Sequence, residues 1–221
     1  IHSAYNEVEK AQLSPQTLDH SLLVAQSRLH RLKYIDNPFS AFAADFVAPA
    51  YLPYVFFVLS EAKRRGINRL YFLSRDGYAL LKAAQRVSHH YEGVELKYLF
   101  ISRRSLLLPY LHGEDHHAYL EASDHHTIIQ IDTVDKRLLH LGTSRTELKN
   151  QYGIEIDYIK VENRKQEEDF LDKIFHSTFT SDLQRRAGMQ EVLLLRYFMQ
   201  EGLMDGKKCA AVDIGWIGTS R

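Results

Sequence analysis

From Pro15 to Leu32 apolar residues recur at Leu18, Leu22, Leu23, Ala25 and Leu29. That 3.6-residue rhythm, with Ser14 ahead of it as a cap, predicts an amphipathic helix. Ala41 to Arg65 repeats the style, punctuated by Asn37-Pro38, Pro49 and Pro53, and Gly66 ends it behind the basic turn Lys63-Arg64-Arg65. Past Gly66 the pattern shortens. Arg69 to Leu73 (RLYFL) is a nearly continuous apolar run, Tyr78 to Val87 (YALLKAAQRV) returns to helical period, and Leu96 to Ile101 (LKYLFI) is a second run of the buried-strand type. Strand, helix and strand at this spacing suit a βαβ crossover and a parallel sheet whose strands are covered on both faces. A third such strand, Cys209 to Val212 (CAAV), follows only after a long interval.

Within that interval Ser144 and Glu147 form a capping-box pair, opening a helix to Gln151 that Gly153 would end. Ile154 to Val161 (IEIDYIKV) alternates as a strand does. Helices are expected from about Glu167 to Phe175 and from Ser181 to Glu201, the second stopped by Gly202. The expected fold is α/β: a Rossmann-like, mainly parallel sheet with a helical N-terminal lead-in (1–66), a core from 67–110 and 207–221, and a mostly helical insert (111–206).

Composition narrows the function. Lys+Arg and Asp+Glu number 28 each in 221 residues, and this zero net charge removes the electrostatic case for a nucleic-acid partner. The single cysteine, Cys209, excludes an intramolecular disulfide framework and a cysteine-rich zinc site, and points to a reducing, cytoplasmic compartment. The longest apolar run, Tyr51 to Leu59, falls short of the ~20 residues that cross a bilayer, so no membrane span is expected. No charged leader precedes an apolar run at Ile1, so no signal peptide is expected either.

Each expected strand ends in a polar cluster: Ser74-Arg75-Asp76-Gly77, then Ser102-Arg103-Arg104-Ser105, then Asp213-Ile214-Gly215-Trp216-Ile217-Gly218-Thr219-Ser220. In an open parallel sheet all three leave the carboxyl edge, where ligands bind. Arg75, Arg103 and Arg104 offer forked guanidiniums suited to phosphate, and Gly77 lets the backbone bend as a helix begins. The glycine-spaced third cluster could cradle a phosphate on its amides, with Gly215, Gly218, Thr219 and Ser220 in contact, while Asp213 takes a sugar hydroxyl or Mg²⁺. The plain structural alternative ties the three arginines to Asp76 and Asp213 as a buried ion-pair network, with Trp216 filling the sheet edge or a partner interface.

Other chemistry is less supported. Asp115-His116-His117 and Asp124-His125-His126 repeat one triplet, but adjacent histidines diverge on a helix and the i, i+4 pairing of a metal site is missing, so no metal ligands are assigned. Cys209 reads as a small buried hydrophobe. Ser74, Ser102 and Ser105 lack a histidine partner or a nucleophile-elbow setting.

The runs AKRRGINRLYFLSRDGYALLK, YLFISRRSLLLP and VDIGWIGTS resemble the pattern of bacterial predicted hydrolases of the HAD superfamily that accompany glycosyltransferases in capsule and lipopolysaccharide gene clusters. The resemblance covers about Phe39 to Pro109 and Leu193 to Ser220. It implies a role in building surface polysaccharide. A HAD phosphatase uses the first aspartate of a D-x-D pair as nucleophile, and here Ser74 stands in that place, so the usual HAD nucleophile is lacking. A looser similarity is to type I phosphoribosyltransferases, with SRDGYALLKAA like their pyrophosphate loop and Asp213, Gly218, Thr219 and Ser220 like their ribose-phosphate loop. Val212 replaces an acid usual there, and Trp216 is foreign to that loop.

The expectation is a domain binding a phosphate ester, a nucleotide-sugar or sugar phosphate, as hydrolase or transferase. Asp76 and Asp213 would be the catalytic carboxylates, Mg²⁺ the cofactor they suit, and Ser74, Arg75, Gly77, Arg103 and Arg104 the phosphate grip. The competing reading is a non-catalytic docking domain for a neighbouring glycosyltransferase, with Trp216 and the insert as contact surfaces.

Overall fold

The computed structural model describes residues 5–12, 18–114, 119 and 133–214, with the backbone alone at 11, 12, 18–20, 23, 103 and 104. Its elements run α1 (Glu7–Gln12), α2 (Leu18–Lys33), a long helix α3 (Pro38–Arg65), β1 (Arg69–Leu73), α4 (Gly77–Val87), β2 (Glu95–Leu99), α5 (Arg103–Tyr110), α6 (Val134–His140), α7 (Arg145–Tyr152), α8 (Arg164–Phe175), α9 (Thr180–Glu201) and β3 (Cys209–Val212). By internal contacts they fall into two units. One takes residues up to 72 with 76–98 and 208–212, the other 73–75 with 99–207 and 213 onward.

The first unit carries the sheet, in the order β2-β1-β3. β3 lies parallel to β1, with Arg69 opposite Cys209 and Phe72 opposite Val212. Along the other side of β1, the Glu95 amide donates to the Asn68 carbonyl at one end and the Ser74 amide to the Leu99 carbonyl at the other, so β2 runs the same way. The result is an all-parallel open sheet in a mixed α/β fold of Rossmann-like type. All five residues of β1 are buried, as a central strand covered on both faces requires. β2 and β3 are edge strands and only their last residues, Leu99 and Val212, are buried. The expectation that all three strands are buried on both faces therefore holds for β1 alone. Cys209 is exposed, not a buried hydrophobe, because it opens an edge strand.

The proline punctuation of the lead-in has a different outcome from the expected breaks. Asn37 caps the start of α3, its side chain accepting from the Phe39 and Ser40 amides at 3.1 Å, and Pro38 sits at the first position, where no amide is needed. Pro49 and Pro53 do not end the helix. Its Ala43–Val47 turn is π-helical, and the whole helix runs 28 residues, from Pro38 to Arg65, before Gly66 closes it with φ 64°. By length and composition alone this helix is long and apolar enough to cross a membrane, more so than the run from Tyr51 to Leu59 suggests. It packs on α2 through its first half and on α4 through its second, burying Val55, Leu59 and Ala62. Around Asp45, buried on the π turn, the Asn6 amide side chain donates at 2.6 Å, while Arg31 grips the wholly buried Glu9 through two bonds of 2.7 and 3.0 Å. Burial alone would raise the Glu9 carboxyl pKa; the Arg31 fork and the Asn6 amide outweigh it and hold it below the ordinary value.

The second unit has its own core, centred on Leu111, Leu138, Leu148, Phe170, Ile174 and Phe179. Ser144 caps α7 through the Glu147 amide and Gly153 ends it with φ 68°, as read from the sequence. The Glu147 carboxylate does not complete a capping box, because Arg186 and Thr143 claim it. The strand expected from Ile154 to Val161 does not form. The segment is irregular, and its carbonyls are taken by other groups than a partner strand: Ile156 and Tyr158 by the Arg145 guanidinium, Ile159 by the Val134 amide.

Candidate functional site at the carboxyl edge

The order β2-β1-β3 has a consequence for ligand binding. The chain leaves β1 toward β2 on one side and returns to β3 on the other, so the topological switch point lies between the carboxyl ends of β1 and β3. Crevices there are where open α/β sheets take their ligands. Phe72 opposite Val212 puts Asp213 level with Leu73 on the neighbouring strand, about 4.8 Å away across the sheet. Ser74 and Arg75 come next along β1. Ser74, Arg75, Arg103, Arg104 and Asp213 all fall in the second unit.

Ser74 is half-buried, and its hydroxyl donates to the Ile101 carbonyl at 2.6 Å. With its amide on Leu99, it binds the exit of β1 to the exit of β2. Its proton is thus committed to the backbone, leaving the oxygen lone pairs for a donor. The peptide between Ser74 and Arg75 is cis. Arg75 is exposed, and Asp213 is half-buried at the end of β3.

Asp76 and Gly77 open α4 in the first unit. Asp76 is exposed at the N-cap position and makes no side-chain capping bond. Gly77 is buried, and a Cβ there would stand 2.8 Å from the Phe72 carbonyl carbon. Close approach of the helix start to β1 demands this glycine, whatever else its amide does.

Arg103 and Arg104 are the first two residues of α5, and their side chains lie outside what the structure describes. Ser102 and Ser105 cap this helix reciprocally: the Ser102 amide donates to Ser105 Oγ at 2.8 Å, and the Ser105 amide to Ser102 Oγ at 3.3 Å. No acidic side chain occupies the first turn of either α4 or α5. The start of α5 therefore presents its positive dipole end with a neutral cap, whereas the start of α4 carries the Asp76 carboxylate at its N-cap. Gly215, Trp216, Gly218, Thr219 and Ser220 lie outside the described residues, as do the Asp-His-His triplets.

Arg75 and Asp76 are both exposed, while Asp213 is half-buried. Enclosed ion pairs among the described residues include Arg31 with Glu9 at 2.7 Å, Arg69 with Glu95 at 2.7 Å, Arg137 with Glu167 at 3.0 Å, and Arg186 between Glu147 and Asp182. Among the described residues no group of three His, Cys, Asp or Glu side chains could hold a metal ion.

One residue at this edge has no signal in the sequence. Tyr197, on α9, accepts from the Phe100 amide at 2.9 Å and so steadies the exit of β2 from 97 residues away. Only the fold brings that phenol to that amide.

No protein-family model matches the chain, and no curated protein matches it in sequence.

Proposed function

We propose that the chain binds a phosphate ester, a nucleotide-sugar or sugar phosphate, at the carboxyl edge of its sheet, and serves bacterial surface-polysaccharide synthesis as hydrolase or transferase. The observation that carries this reading is the switch point between β1 and β3, flanked by exposed Arg75 on one side and Asp213 on the other. Arg75, with Arg103 and Arg104 at the start of α5, would neutralise phosphate charge, and the α5 amides would add donors. Asp213 would hold a sugar hydroxyl, or a Mg²⁺ ion bound jointly with the ligand's phosphates; Mg²⁺ needs only one or two protein carboxylates in that mode. The polysaccharide setting rests on the resemblance of the three strand-end motifs, and the single cysteine supports a reducing cytoplasmic compartment.

A thermal-shift screen against nucleotide sugars, sugar phosphates and phosphoribosyl pyrophosphate, with and without Mg²⁺, tests the reading. A stabilising ligand whose effect disappears in Arg75→Ala and Asp213→Ala is expected, since a ligand at 100 times its Kd adds about 2.7 kcal/mol. No shift with any of these classes would sink the proposal.

A second reading, a docking domain for a glycosyltransferase, draws on α9, where Met189, Val192, Leu193 and Met199 are exposed at helical spacing. Co-purification with such an enzyme, without any small-molecule response, would select it.

A further inference from the structure

We infer that α3 lies in the plane of an anionic membrane surface, with its phenylalanine stripe seated among the lipids. The stripe is Phe39, Phe42, Phe46, Phe56 and Phe57, all exposed, Phe39 by 85% and Phe57 by 61%. With the exposed Ala50, Pro53 and Ser60 they recur every three or four residues, on one side of one helix.

The chemistry of the helix chooses lipid over protein. From Pro38 to Ser60, roughly 35 Å of helix, Asp45 is the one charged residue, and it is buried against Asn6. A protein-binding face carries a polar rim, and this one has no exposed charge along that length. A helix apolar on every side belongs in a protein core or in lipid. This one has a mean hydropathy of 1.6 over its most apolar 18 residues, yet only 22% of that window is buried.

The cations stand where an in-plane helix needs them. Lys63, Arg64 and Arg65 follow the stripe at one end against a single acid, Glu61. At the other end exposed Lys33 borders a groove of about 440 Å³, floored by Leu29, Ala48 and Leu52, that widens the apolar face toward α2. Exposed Asp36 is the acid nearest in sequence to that end. Aromatic side chains on an apolar face suit the headgroup boundary, and clustered Lys and Arg beside that face suit anionic lipid.

A span is a different matter. Asp45, in the first third of α3, and the Glu9–Arg31 pair beside it would be carried into hydrocarbon by a span centred on the helix, and α2 and α4 cover its other side. Surface seating leaves those contacts intact.

Cosedimentation of the full chain with phosphatidylcholine vesicles, with and without about one-third phosphatidylglycerol, tests the inference. Pelleting with the anionic vesicles is expected. The triple variant Phe39→Ser/Phe42→Ser/Phe57→Ser, checked for an unchanged melting temperature, is expected to lose about tenfold or more in partitioning. Lys63→Gln/Arg64→Gln/Arg65→Gln is expected to lose only the preference for anionic lipid. Should the triple serine variant not fold, Phe39→Ser alone, at the first helical turn, is expected to weaken binding. A parent chain that stays in the supernatant with both vesicles overturns the proposal, as does serine variation without effect. Concentration-dependent self-association that the serine variant abolishes, without vesicle binding, would assign the stripe to a second copy of this chain and overturn it equally.

Discussion

Val212 is the partner of Phe72 in the β1–β3 ladder, and this places Asp213 beside Leu73, one step before Ser74 and Arg75. A carboxylate and a guanidinium thus leave neighbouring parallel strands at the point where the chain's direction across the sheet reverses. The pairing is a product of register: slipped by one residue, Asp213 would point to the opposite face.

Arg75 is exposed, so its removal touches little packing. Arg75→Ala is expected to change unfolding free energy by no more than about 0.5 kcal/mol while abolishing phosphate-ester binding. Arg75→Lys discriminates further. It keeps the charge but loses the planar fork, so affinity falls about tenfold or more if the contact is bidentate. Titration calorimetry with the ligand from the thermal-shift screen reads both, and unchanged affinity in Arg75→Ala would remove this residue from the site.

Ser102 caps α5 with a neutral hydroxyl, and aspartate caps as well as serine does. Ser102→Asp is therefore expected to leave the melting temperature unchanged or slightly raised, the new charge favouring the positive end of the helix dipole. The same charge would repel a phosphate approaching Arg103 and Arg104. Weakened ligand binding in a chain no less stable is the expected outcome. A variant that binds as well as its parent would show that the α5 terminus is not part of the phosphate site.

Gly77 is fixed by its neighbour rather than by a positive φ. A methyl group would meet the Phe72 carbonyl carbon at 2.8 Å and its Cβ at 3.2 Å, and neither atom is the far end of a flexible side chain. Gly77→Ala is expected to destabilise by about 1–3 kcal/mol, seen as a lower urea midpoint at unchanged slope. Stability equal to the parent's would mean that the start of α4 shifts freely away from β1.

Local rules made much of this fold legible. RLYFL was readable as a buried strand because a central strand has no polar face, and Gly66, Gly153 and Gly202 marked helix ends because each is left-handed there, with φ of 64°, 68° and 82°. The candidate edge was legible for the same reason, three polar clusters following three apolar runs. What escaped depends on partners far along the chain. IEIDYIKV alternates like a strand, but Arg145 occupies its carbonyls, and no period reveals a guanidinium arriving from α7. Pro49 and Pro53 read locally as punctuation of the helix. They sit beyond a π turn inside a helix held by α2 and α4, and tertiary packing overrides the local preference. Tyr197 bracing Phe100 is of the same kind.

The Arg186 guanidinium is shared by Glu147 and Asp182, and Tyr152 adds a hydrogen bond to Asp182 at 3.0 Å. The Arg186 hydrogen bond holds the Glu147 carboxyl below its ordinary value. For Asp182 partial burial pushes upward, but bonds from Arg185, Arg186 and Tyr152 together prevail and it too is lowered. A carboxyl whose folded value is depressed stabilises the fold at any pH above its unfolded value, and that contribution is lost as pH falls through the folded one. The ordinary values are 4.5 for Glu147 and 3.8 for Asp182, so this part of the stability begins to decline below about pH 4.5 and continues to fall through the more acidic range. Arg186→Gln is expected to cost about 1 kcal/mol at neutral pH, a figure reduced by the solvent that reaches these side chains, and to flatten the acid limb. Urea midpoints measured across the acidic range test this by difference: the gap between parent and variant should narrow as pH falls below about 4.5. A gap independent of pH would mean that Arg186 contributes through packing on Phe179, over whose ring it lies at 5.8 Å, and not through its two carboxylates.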